Sequence, residues 1–320
     1  MNTPSNAANE FPDSRINDSP INDSQGIAPT ALSATRPLYW SIRRELWENR
    51  YVYVAPLAVA TLFLVADFIG TIHLPAQMRQ LSGADPEQYR QAILQPYNIA
   101  AGFMMGTYIL VTLFYCSDAL HGERRDRSIL FWKSLPVSDL TTVLAKASIP
   151  FVILPLLTFA ITWVLQFLIL LLSSAVLLGS GLTVDPLWTH LPLWQMSLLM
   201  LYHVVTSHVL WPAPVYCWLL LVSGWARRAA PLWAALPVLA IAGVEQIAFH
   251  TQHFLLLVGH RLIGDTDRIG YVSPDMFPTD PMTHVTPAPF LLSPGLWFGL
   301  LLAVAFLAAA VRLRRYRGPI

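Results

Sequence analysis

The sequence predicts an all-α, polytopic integral membrane protein with six transmembrane helices, an N-terminal interfacial helix and both termini in the cytoplasm. Three observations carry that expectation. Of 320 residues 55% are apolar and 12% charged, about half the charge usual in a soluble domain. Six apolar stretches approach or exceed the roughly 20 residues that a bilayer crossing needs. With alternate loops assigned to alternate faces, sixteen of the 20 lysines and arginines fall on one face and only Arg79, Arg90, Arg261 and Arg268 on the other. Cytoplasmic loops carry that excess, and an odd number of crossings would destroy it.

Residues 1–35 are rich in Asn, Ser, Pro and Ala and lack the basic-then-apolar layout of a signal peptide, so they read as a disordered cytoplasmic tail. The membrane domain is expected over 36–317. It opens with Arg36 to Arg50, where Leu38, Ile42 and Leu46 recur four apart, Trp47 adjoins them, and Arg43, Arg44 and Glu48 lie elsewhere on the wheel. Tryptophan and tyrosine suit the headgroup level and arginine suits anionic lipid, which favours a helix in the interface over a simple extension of the first crossing.

The crossings are expected near Tyr51 to Ile72, Ile99 to Ser117, Ala147 to Leu178, Leu198 to Val222, Leu232 to Leu257 and Leu292 to Val311. The third would run about 48 Å as one straight helix, against roughly 30 Å of hydrocarbon. It must tilt, kink at Pro150 or Pro155, or project from the bilayer. The fourth contains Trp211-Pro212-Ala213-Pro214, whose prolines remove backbone donors in mid-span and should bend or interrupt it. The outer face then holds segment 74–97, a short link near Thr183 to Pro192, and a longer external loop at 259–290. The aspartates of that loop, Asp265 and Asp267, lack EF-hand spacing, so an ordinary solvated loop is expected. Cys116 and Cys217 sit in apolar runs; neither a disulfide framework nor a metal site is expected.

The second cytoplasmic link, 118–146, is the most informative segment. After Asp118 it carries the mixed-charge cluster Glu123-Arg124-Arg125-Asp126-Arg127, then turns apolar at Ile129-Leu130-Phe131-Trp132. It breaks at Leu135-Pro136 and restarts with capping chemistry at Ser138-Asp139. An aromatic-aliphatic run flanked by charges, on a loop too short to fold alone, needs a surface to press against, either the membrane interface or a partner protein. Glu123, Ser128-Ile129, Ser134-Leu135-Pro136-Val137-Ser138 and Lys146, between the second and third of six crossings, together resemble the permease subunit of ABC-2 type ATP-binding-cassette exporters. The resemblance implies a coupling helix from Asp118 through Trp132 that docks on a separate ATP-binding subunit. In that reading Glu123, Arg124, Arg125 and Arg127 are polar contacts and Phe131 and Trp132 apolar ones. It further implies a homodimer or a heterodimer with a second permease, in the cell (inner) membrane.

ATP binding by this chain itself would need a Gly-rich phosphate loop. The only Lys-Ser pair, Lys133-Ser134, has no glycine before it. ATP and Mg are therefore expected on the partner, and this chain is expected to bind no cofactor, to hold no catalytic residues and to contact no nucleic acid. Asp67 lies toward the outer end of the first crossing, and Glu245 near the middle of the fifth, where a carboxylate costs about 2.5–3.5 kcal/mol unless partnered. Depth counting at about 1.5 Å per residue pairs Glu245 with His208, and His250 with His203. These four either line an intramembrane pathway, or Glu245 merely bonds neighbouring groups and locks helix packing. The same histidines admit a haem-binding redox anchor, and a secondary transporter is a third class, weakened by the lack of matching broken helices in two halves.

Overall fold

The computed structural model describes residues 35–81, 83, 85–134, 137–263, 285 and 287–317. The predicted tail at 1–34 and most of the predicted external loop, at 264–284, lie outside the described residues. Residues 37–320 cohere as one unit.

Among the described residues the chain is helical and contains no strand. Runs Tyr51–Gln80, Gln88–Arg125, Asp139–Gly179, Ala230–Phe249 and Pro294–Tyr316 are long and apolar enough to cross a membrane, and Leu193–Leu210 with Ala213–Trp225 makes a sixth if its 45° bend lies within one span. Many large apolar side chains on these runs face outward, including Leu62, Phe114, Ile247 and Leu301. Contiguous apolar surface on that scale belongs against lipid or another apolar chain.

Helix α1 (Thr35–Glu48) precedes α2 (Tyr51–Gly70), which continues through a 3-10 turn at Thr71–His73 into α3 (Leu74–Leu81). Helix α4 (Pro86–Asp118) starts with proline at a position where no backbone donor is needed, well before the expected Ile99. The link folds into α5 (His121–Arg125) and α6 (Ile129–Ser134). The long third span is α7 (Asp139–Ser148), a π-helical segment at Ile149–Ile153 and α8 (Leu154–Gly179), so the irregularity falls at the first of the two suspected prolines. Gly181 ends it at φ 73, which lets Leu182 N–H reach Leu177 O at 3.0 Å.

After α9 (Asp185–His190), span four is α10 (Leu193–His203), a π-segment at Val204–Leu210, and α11 (Ala213–Trp225). Helix α12 (Ala230–Phe249) stops eight residues short of the expected Leu257, because His250 adopts a left-handed conformation (φ 55) and a separate helix α13 (His253–Ile263) begins. Helices α14 (Pro287–Leu291) and α15 (Pro294–Tyr316) complete the chain. Helix α4 packs against α2, α8 and α11, and α11 against α15. One buried group surrounds Tyr97, Met104, Leu165 and Leu199, and another Tyr108, Tyr115, Leu154 and Tyr216.

Candidate functional site

At the end of the bundle that carries most of the basic residues, six charged side chains from four helices meet. Glu45 of α1 is completely buried and Lys146 of α7 is 2% exposed. Lys146 Nζ donates to Glu45 Oε1 at 2.8 Å and lies 3.2 Å from Glu123 Oε1 of α5. Arg44 Nη2 donates to Glu45 Oε1 and to Glu123 Oε1, both at 2.8 Å. Arg314 of α15 donates through Nη1 to Glu123 Oε2 and through Nε to Asp139 Oδ1 of α7 at 3.2 Å. Tyr115 OH of α4 adds a bond to Glu45 Oε2 at 3.1 Å.

Three carboxylates face three cations, so the cluster is neutral; Glu45, Glu123, Lys146 and Arg314 are buried, and Arg44 and Asp139 lie at its partly exposed rim. In a low dielectric such charges are tolerated only when each is paired and hydrogen-bonded. Burial alone would lower the Arg44 pKa, but its bond to Glu45 and the charges of Glu45 and Glu123 outweigh that and raise it. Burial pushes the nearby Glu48 carboxyl up, with Arg44 pulling the other way.

This cluster is the underside of the α5–α6 link. Glu123 and Arg124, expected as outward polar contacts, turn inward. Glu123 is the hub of the ion cluster, and Arg124 Nη1 caps the end of α11 through Gly224 O at 2.8 Å and Ala226 O at 3.1 Å. The reason is helical geometry: within so short a helix, consecutive charges point in different directions and only some can face out. Ile129 is buried beneath α6, and Leu120 N–H bonds Ser223 Oγ. Asp118, Arg125, Arg127, Leu130 and Phe131 face outward, Phe131 at 60% exposure. The Trp132 side chain lies outside the described residues. Arg127 sits at φ 57 between the two short helices, so the link is a defined turn rather than an extended loop.

Sequence reasoning missed Glu45 and Arg314. A signal existed for Glu45: it lies three residues after Ile42, on the apolar stripe of α1, where a carboxylate requires a partner. Nothing local marked Arg314 among its basic neighbours.

A second constellation joins the two π-segments. In the first, Leu154 N–H bonds Ile149 O, five residues back, in place of Pro150 O. The next donor in line would be residue 155, a proline without N–H. Pro150 O instead lies 2.9 Å from Tyr108 OH. In the second, Trp211 N–H bonds Thr206 O, and Pro212 cannot donate to His208 O. His208 O lies 3.1 Å from both Tyr108 OH and Tyr216 OH. Two backbone carbonyls left short by proline are therefore served by two tyrosines at one buried point.

The four polar residues matched by depth separate into two places. His203 and His208 are buried in span four, with His208 Nδ1 3.3 Å from His203 O. Glu245 lies one turn from the end of α12, not at mid-span, and His250 is the exposed residue that ends that helix. The Glu245 carboxylate accepts from Thr251 Oγ1 at 2.8 Å, His253 N–H at 2.8 Å and Phe254 N–H at 2.9 Å. It caps the first amides of α13, where a negative charge is favourable. Of the two readings, its contacts match bonding to neighbouring groups.

Beyond that bend Arg261 ties α13 to span four and α15. Its guanidinium lies 4.2 Å from the centre of the Trp211 ring, and it donates to Trp211 O at 3.2 Å and to Gly295 O. Gly299 makes room: a Cβ there would lie 2.8 Å from Arg261 Nη1. Gly299→Ala is expected to change stability by less than about 1 kcal/mol in thermal unfolding, because the clash falls on the flexible end of Arg261 and the better helix propensity of alanine offsets its displacement.

No group of three or more His, Cys, Asp or Glu able to hold a metal ion occurs among the described residues. Comparison with protein-family models, curated proteins and solved structures found no match.

Proposed function

We propose that this chain is the membrane-spanning permease subunit of an ATP-driven exporter of the ABC-2 type, which forms the translocation pathway and couples it to a separate ATP-binding subunit. ATP and Mg bind on that partner. Two permeases pair, as a homodimer or a heterodimer, in the cell membrane. Both termini lie in the cytoplasm, α1 lies in the interface, and the 118–134 link faces the ATPase. The chain itself is neither an enzyme nor a nucleic-acid binder.

One observation carries the reading: the α5–α6 link is fixed from below by Glu123, Arg124 and Ile129 while Arg125, Arg127, Leu130 and Phe131 stand outward. A docking element that must transmit force needs that combination, since a push on a loose loop would dissipate before reaching the spans. Glu123 ties the fixed end of the link to α1, α7 and α15 and Arg124 ties it to α11, so displacement of α5 is felt by all four helices.

Phe131→Asp is expected to abolish copurification of the ATP-binding subunit, with the unfolding temperature of the permease unchanged. Arg125→Glu should weaken it. Equal recovery of an ATPase with wild type and both variants would reject the docking role. Glu123→Arg is a poor probe of docking, because it places a fourth cation inside the cluster and destroys the anchor itself.

A further inference from the structure

We infer that the seam between α2, α4 and α8 holds a binding site for a monovalent cation, a proton or sodium, with the Asp67 carboxylate as its anion and Tyr97 and Gln166 as its neutral polar partners. The site is independent of the docking link and does not depend on the exporter reading.

Asp67 lies on the apolar span α2, and its Oδ2 is buried with no hydrogen-bond partner. Two other buried polar atoms, on helices that pack against α2, share that condition: Tyr97 OH on α4 and Gln166 Nε2 on α8, whose residues are 1% and 2% exposed. Helix packing brings the three to one level. The Phe63 and Phe103 rings lie 6.2 Å apart and set α2 against α4. From that contact Asp67 is about 6 Å and Tyr97 about 9 Å toward the outer face, counting about 1.5 Å per residue. Arg79 Nη2 reaches Ser180 O at 3.5 Å, which sets α3 against the end of α8. Counted inward from that contact, Asp67 and Gln166 lie about 18 and 21 Å away, within one turn of each other.

No fixed cation answers this carboxylate. Helix α8 has no ionisable residue. On α4, Arg90 and Tyr89 lie about two turns outward of Tyr97, and Tyr108 about three turns inward. On the α2–α3 run, His73 is exposed and Arg79 points to Ser180 O, while Tyr51 and Tyr53 are at the opposite end. Among the described residues Asp67 forms no ion pair. A carboxyl in an apolar seam must take up a positive charge or be rehydrated. A phenol oxygen and an amide, which presents oxygen or nitrogen according to its flip, complete an oxygen-rich corner of the kind that holds a hard monovalent cation or a hydrogen-bonded acid.

The test treats the purified full-length protein, reconstituted in liposomes, with an apolar carbodiimide, which couples to carboxyls that carry their proton. Modification of the peptide containing Asp67 is followed against pH, in sodium chloride and in choline chloride. The expected result is modification that declines as pH rises. Protection by sodium but not by choline identifies sodium as the ligand; no protection identifies the proton. Tyr97→Phe and Gln166→Leu are expected to shift the midpoint by about tenfold in cation concentration, which residues that only fill space would not do. An infrared difference between wild type and Asp67→Asn covers the case in which the reagent cannot reach the seam. A free carboxylate there, insensitive to pH and to sodium, overturns the proposal, as does modification independent of both.

Discussion

Lys146→Met is expected to destabilise the protein by about 3–5 kcal/mol, the range for removing one partner from a buried ion pair. Methionine fills much of the lysine's volume, so the loss is electrical rather than a cavity. Lys146 Nζ serves Glu45 Oε1 at 2.8 Å and Glu123 Oε1 at 3.2 Å. Without it three carboxylates face only Arg44 and Arg314. Glu45, fully buried, keeps Arg44, Asn49 and Tyr115, but the cluster carries a net negative charge away from water. Thermal unfolding in detergent should show a large drop for Lys146→Met and a partial recovery in the double variant Glu45→Gln/Lys146→Met, which restores neutrality. Arg125→Met, at the exposed side of the same link, should stay within about 0.5 kcal/mol of wild type. Equal effects of Lys146→Met and Arg125→Met would mean that water reaches the cluster and that the link is not anchored as described.

The contrast between Lys146 and Arg125 marks where sequence reasoning stops. Apolar runs and the sorting of charges were legible because they depend on composition over about 20 residues, and five or six spans are found. The break in span four was legible because proline cannot donate. Which charges in Glu123-Arg124-Arg125-Asp126-Arg127 face inward was not. That depends on Glu45, Lys146 and Arg314, which are 78, 23 and 191 residues from Glu123 in the chain. The position of Glu245 failed for a related reason. Depth counting assumed one straight helix to Leu257, whereas the left-handed turn at His250, a conformation that few residues adopt and that no neighbouring glycine announces, ends the span early and turns the glutamate into a cap for the next helix. Gly299 was equally silent, since its role is to admit an arginine from another helix.

The prolines show the opposite relation, in which a legible local defect predicts a need but not its answer. Tyr108→Phe is expected to cost about 1–3 kcal/mol, the penalty for leaving a buried acceptor unsatisfied, with no change in packed volume. Its single hydroxyl proton can serve Pro150 O or His208 O, not both at once. Tyr216 also serves His208 O, so Pro150 O is the acceptor that loses most. Tyr216→Phe should cost about as much, because Tyr108 then holds one proton for both carbonyls. The double variant should cost about the sum of the two, because each hydroxyl removed leaves one more carbonyl unserved. Hydrogen exchange gives the sharper readout. In Tyr108→Phe, amides at 149–153 and at 204–210 should lose protection together, because the hydroxyl is what joins the two π-segments. Loss confined to one segment would mean that the two hinges bend independently, and that spans three and four are not joined at this point.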